Sequence, residues 1–107
     1  MKKVLITGIG MICANGNGKD AAWASLKAGK PGVGKITKFD ASRCTSQVAA
    51  EAKGFEEYAI GGGLLDKRAA RHMARFSQFA VAAAVEAWKD AGYTDANRPD
   101  MDRVGVM

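Results

Sequence analysis

From Phe79 to Ala87 the chain reads Phe-Ala-Val-Ala-Ala-Ala-Val-Glu-Ala, and Glu86 alone interrupts an otherwise apolar run. Alanine is the strongest helix former. Met73, Phe76, Ala80, Ala83, Ala84, Ala87, Trp88 and Ala91 recur at helical intervals. The spacing predicts a long helix from about Leu65 to Ala91, with Asp66 capping its start and Gly92 ending it. A helix this apolar on nearly every side has to be enclosed by protein. A domain of 107 residues has little with which to enclose it.

The rest of the chain reads as shorter pieces. Residues 3–7, Lys-Val-Leu-Ile-Thr, predict a buried strand ending on a glycine-rich turn, and Asn15 to Gly18 predict a second turn. Ala22, Trp23, Leu26 and Ala28 fall at helical spacing between Lys19 and Ala28, with Gly29 as a left-handed stop. Residues 29–47 read as loop, and Gln47 to Ala52 as a short strand. Gly61-Gly62-Gly63 reads as a flexible joint before the long helix. Arg103 to Met107 looks like a strand begun and not finished, so residues 1–107 are expected to be the incomplete opening portion of a larger domain. The sequence has no internal repeat and no low-complexity tract.

Composition excludes several classes. With 48% hydrophobic and 25% charged residues and two prolines, the chain is that of a globular protein and not of a disordered one. Cys13 and Cys44 are expected as free thiols in a reducing cytoplasm. The single His72 lacks the second His or paired Cys that a zinc site needs, so no metal is expected. Met1-Lys2-Lys3 before an apolar run imitates a signal peptide, but Thr7, Gly8 and Gly10 interrupt that run. No stretch approaches the roughly 18 to 20 apolar residues of a membrane span. The chain is expected to be cytoplasmic.

Gly8 and Gly10 open the question of a nucleotide site. A dinucleotide fingerprint needs a third glycine or alanine where Cys13 stands, and an acidic residue about 20 positions on. Residues 28–34 hold no Asp or Glu. A phosphate-binding P-loop fails on glycine spacing, because Lys19 is followed by Asp20. The glycines therefore read as structural, allowing close backbone packing.

Four segments in this order and spacing carry a family likeness: "KVLITGIGMICANGNG", "AAWASLKAGKPGVGKITKFDAS", "DKRAARHMARFSQFAVAAAVEAWKDAGY" and "DRVGVM". Across nearly its whole length the chain resembles the N-terminal segment of type II, elongating β-ketoacyl-acyl-carrier-protein synthases. That resemblance implies an α/β fold, the N-terminal part of a thiolase-like layered αβαβα arrangement, normally homodimeric and without a cofactor. It implies decarboxylative Claisen condensation by a cysteine and two histidines, which in the family's order lie beyond Met107. No catalytic residue is expected here: Cys13 stands in a turn where the family commonly has serine before proline, Cys44 in a variable loop, and His72 in a basic helical surface. A polyketide-type ketosynthase or a chain-length partner would carry the same segment.

The resemblance also bears on the net charge of +5. Lys67, Arg68, Arg71, His72 and Arg75 cluster at helical spacing, with Met73 and Phe76 expected to face inward. A charge run of this kind is ordinarily a solvated face. In the family, basic residues matching Arg68, Arg71 and His72 dock the acidic acyl carrier protein, a role that electrostatic steering explains. His72 stands where lysine or arginine is usual. Ala74 replaces an acidic residue common in the family's M-D-x-F motif, and Cys13-Ala14-Asn15-Gly16 replaces a turn stiffened by proline. A non-catalytic basic module binding an acidic protein is the competing reading. Nucleic acid is not expected, because no aromatics interleave with the basic residues to stack bases.

Overall fold

The computed structural model describes residues 3–107. Its elements in chain order are β1 (Ile12–Cys13), β2 (Gly16–Asn17), α1 (Lys19–Lys27), β3 (Val33–Lys35), β4 (Val48–Ala50), a π-helical turn (Glu57–Gly61), α2 (Lys67–Ala70), α3 (Arg75–Asp90) and a 3-10 turn (Met101–Arg103). The strands form two separate two-stranded ladders, β1 with β2 and β3 with β4, both antiparallel. Helices and strands are mixed along the chain, and among the described residues no wider sheet forms on which a layer could stack.

The long helix of the sequence reading is two helices. Asp66 caps α2 as expected, its Oδ2 accepting from Arg68 N and Ala69 N at 2.9 Å. The helix then tightens, with His72 N and Met73 N donating three residues back to Ala69 O and Ala70 O. Ala74 is extended (φ −63°, ψ 154°) and starts α3 without a side-chain cap. Gln78 bridges the break: its Nε2 donates to Met73 O at 3.1 Å and adds a second bond to Ala70 O at 2.8 Å.

Both longer helices end by the same device. Gly29 (φ 64°) and Gly92 (φ 77°) take the left-handed conformation. Gly29 N and Lys30 N close back on Leu26 O and Ser25 O, and Gly92 N and Tyr93 N on Lys89 O and Trp88 O. This is the Schellman pattern, and the accompanying apolar contact is Trp88 against Tyr93, with centroids 4.9 Å apart.

Phe55, Ala59, Leu65, Ala70 and Ala82 form the core, with Ile12, Met73 and Phe79 packed against it. Phe55 meets Phe79 edge-on at 4.6 Å. Several apolar side chains expected inside are outside. Phe76 is 76% exposed, and Trp23 and Leu26 project from α1, where only Ala22 is buried. Val4, Leu5 and Ile6 are exposed too, and residues 3–11 join no ladder. A strand needs a neighbour for its hydrogen bonds. Among the described residues none runs beside this one.

Four smaller expectations also change. Val33–Lys35, read as loop, pairs with β4. The turn read at Asn15 to Gly18 is a hairpin whose bend is Ala14-Asn15. The Gly61 to Gly63 joint is a defined turn, because Gly62 N and Gly63 N donate to Tyr58 O and Ile60 O and Gly63 has φ 68°. Residues 104–107 form no strand, and Asp100 instead caps the 3-10 turn before them through Asp102 N.

Candidate functional site

The basic cluster straddles the break between α2 and α3. Lys67 and Arg68 lie on α2, Arg71 and His72 in the connecting turn, and Arg75 at the first position of α3. The first four are exposed. Lys67, Arg71 and Arg75 border a shallow cleft of about 210 Å³ together with Glu56 and Gln78, above Ile60 and Ala70. Arg68 and His72 lie outside that lining.

Arg75 behaves differently from its neighbours. Its guanidinium carbon stands 4.5 Å from the Phe55 centroid and 5.2 Å from that of Phe79, a cation–π position on the edge-to-face pair. Its Nη1 reaches Glu56 Oε1 at 3.2 Å and Gln78 Oε1 at 3.3 Å. It anchors the start of α3 to the core. Lys67, Arg68 and Arg71 pair with no carboxylate among the described residues.

The second constellation was missed by sequence reasoning. Glu86 and Asp90, four apart on α3, turn their carboxylates toward the glycine loop. Glu86 accepts from Met11 N at 2.9 Å and, through its other oxygen, from Lys19 N at 2.9 Å. The latter bond places a carboxylate at the N-terminus of α1, where the helix dipole favours it. Asp90 accepts from Ile9 N at 3.0 Å and from Lys19 Nζ. These bonds hold the Asp90 carboxyl below its ordinary range and push the Lys19 ammonium above its own. Burial raises the Tyr58 phenol beside Glu86, and the Glu86 charge adds to the effect. The i, i+4 spacing of Glu86 and Asp90 was the signal available in the sequence.

Gly8 and Gly10 make this arrangement possible. A Cβ at Gly8 would overlap Ala87 O and stand 2.9 Å from Ala91 Cβ; one at Gly10 would overlap Ala83 O. The loop backbone lies directly on the alanine face of α3, which is the structural role read from the sequence. No phosphate cradle forms, because the loop amides of Ile9 and Met11 already face carboxylates.

The remaining chemistry-bearing residues stay apart. Cys13 Sγ donates to Gly16 O at 3.4 Å, Cys44 is exposed and free, and neither is hydrogen bonded to His72. Among the described residues no cluster of His, Cys, Asp and Glu is suited to a metal ion, and no helix is long and apolar enough to cross a membrane.

Comparison with known proteins decides the family. A profile described as "Beta-ketoacyl synthase, N-terminal domain" matches residues 1–107. The chain belongs to the β-ketoacyl synthase family. Among its relatives, 3-oxoacyl-[acyl-carrier-protein] synthase 2 of Coxiella burnetii is 40% identical over 105 residues, covering 98% of this chain. The proteins of the same name from Staphylococcus aureus strain COL and from Synechocystis are 39% and 37% identical over 98% and 99% of it. This β-ketoacyl synthase segment spans 24% of the length of each of those relatives.

Proposed function

We propose that this chain serves a 3-oxoacyl-acyl-carrier-protein synthase of fatty acid elongation, and that its own contribution is to dock the carrier protein. The observation that carries the proposal is the exposed Lys67, Arg68, Arg71 and His72, gathered at the α2–α3 break without carboxylate partners among the described residues. The relatives' name, which includes the acyl carrier protein, supports the choice of partner. An acidic partner is steered toward such a face and oriented on it.

The reaction of the whole enzyme is a decarboxylative Claisen condensation. A thiolate takes the acyl group from its carrier thioester, malonyl carrier protein loses carbon dioxide, and the resulting carbanion attacks the acyl-enzyme carbonyl to release the thiolate. Neither Cys13 nor Cys44 has the base or the oxyanion donors for this step, so this chain by itself is read as non-condensing. The whole enzyme is read as a cytoplasmic homodimer in the layered thiolase-like fold.

Titration with acyl carrier protein at two salt concentrations tests the docking role, with duplex DNA as the comparison. The expected result is saturable, salt-weakened binding of the carrier protein that R68E/R71E abolishes, with no comparable affinity for DNA. Equal binding of both polyanions would instead favour a non-specific basic module.

A further inference from the structure

The carboxyl end of α1, the β1–β2 turn and the β3–β4 hairpin enclose a second cavity, of about 290 Å³, that shares no lining residue with the cleft beside α2. Lys30, Lys35 and Lys53 line it from three separate stretches of chain: the loop after α1, strand β3, and the segment after β4. All three are exposed, and none joins an ion pair among the described residues.

The one carboxylate in the lining does not neutralise them. Glu51 accepts from Thr37 N at 3.0 Å and from Thr37 Oγ1 at 2.7 Å, one bond to each oxygen. Those bonds hold its carboxyl below the usual range, so it stays charged and turned to Thr37. Three lysines against one occupied carboxylate give the lining a formal positive surplus. Carbonyls at the end of α1 oppose an anion, but Ser25 O and Leu26 O are already taken by Lys30 N and Gly29 N.

The walls are set before any ligand arrives. Asn15 Nδ2 donates to Lys30 O at 2.9 Å, tying the loop after α1 to the β1–β2 turn. Gly32 lies so close to Asn15 that a Cβ there would stand 3.0 Å from its Cγ. The hairpin register, Val33 with Ala50 and Lys35 with Val48, fixes the opposite side. Concave shape and like charge in a fixed frame concentrate counter-ions at one place.

Size narrows the ligand. Small-molecule pockets run from about 300 to 1,000 Å³, so a cavity of about 290 Å³ has room for a small anion. We propose that it is an anion site for a phosphate or pyrophosphate group, held by Lys30, Lys35 and Lys53. Lysine binds such groups as a point charge with three donors, so a geometrically exact fork is unnecessary. The site is independent of carrier docking.

Amide NMR titration of the protein tests the proposal, using inorganic phosphate, pyrophosphate and glycerol phosphate, each at ionic strength matched with sodium chloride. The expected result is a saturable shift confined to residues 25–35 and 49–53. K35Q/K53Q should weaken binding by about tenfold or more with an unchanged circular-dichroism spectrum, whereas R68E/R71E should leave it intact. Glycerol phosphate binding as well as inorganic phosphate assigns a phosphate ester as the source, and binding of the inorganic anions alone assigns the free ion. Non-saturating shifts spread over all lysines, or undiminished affinity in K35Q/K53Q, would overturn the site.

Discussion

Gly10 and Ala74 show how much one side chain decides in this segment. A methyl group at Gly10 would drive into Ala83 O and stand 2.8 Å from Ala87 N, both backbone atoms of α3 that cannot rotate away. Gly10→Ala is therefore expected to destabilise the chain by about 1–3 kcal/mol, the range of overpacking. Gly34 is the control, since a Cβ there meets nothing within 4 Å, and Gly34→Ala should be neutral or stabilising by up to about 1 kcal/mol. Urea denaturation of both variants checks the contrast; equal effects would mean that the loop does not lie on α3. Ala74 presents the converse case. It occupies the N-cap of α3 and has no oxygen to offer the free amides behind it. Ala74→Asp should stabilise by about 0.5–2 kcal/mol, read as a rise in melting temperature, and no rise would place the helix start elsewhere. On this geometry an acidic residue at position 74 would act as a helix cap. Alanine at this position gives no sign of the break, which is why periodicity read α2 and α3 as continuous.

Between elements, the Glu86 and Asp90 carboxylates bind α3 to the glycine loop and to α1, and the Asp90–Lys19 pair gives that clasp a pH dependence. Asp90 titrates below its ordinary value of 3.8 in the folded chain, so its contribution is present above that value and is lost as pH falls through the lower, folded one. Lys19 titrates above 10.5, so its contribution is present below 10.5 and is lost as pH rises through the higher, folded value. The melting-temperature gap between the parent and Asp90→Asn should thus be widest at intermediate pH and close at both extremes. Both side chains are partly open to solvent, so the gap should be small and shrink in high salt. A gap that is constant across the range would remove the ion pair from the account. At this scale the legible parts were those with local chemistry. Gly29, Asp66 and Gly92 announced their caps, and Val48–Ala50 fell inside the strand expected at Gln47 to Ala52. What depends on distant residues was not legible. Val33–Lys35 becomes a strand only because β4 lies beside it, and residues 3–7 fail to become one for want of such a neighbour. The basic cluster was visible from charge and spacing, yet the inward turn of Arg75 depends on Phe55, which comes from a different part of the chain.

Taken whole, the segment is too open for its mass. Its Cα radius of gyration is 16.7 Å, against about 13 Å for a compact domain of this length. Its accessible surface is 8555 Å², against roughly 5,700 Å² for a folded monomer of this mass. The difference exceeds one partner's share of an obligate interface, about 1,000 to 2,500 Å². Much of the excess is apolar and lies where the sequence asked for burial: Val4, Leu5 and Ile6 ahead of the glycine loop, and Phe76 with Ala80 and Ala84 along one face of α3. These surfaces demand cover. In water, this chain alone should therefore associate with itself. Sedimentation velocity is expected to show a weight-average mass that rises with concentration, accompanied by binding of an apolar dye. Leu5→Ser with Phe76→Ser should reduce both, since neither side chain supports the core. The opposite result, a monomer at every concentration with a sharp thermal transition and no dye binding, would mean that these faces close on one another in solution and that the segment is a self-sufficient domain.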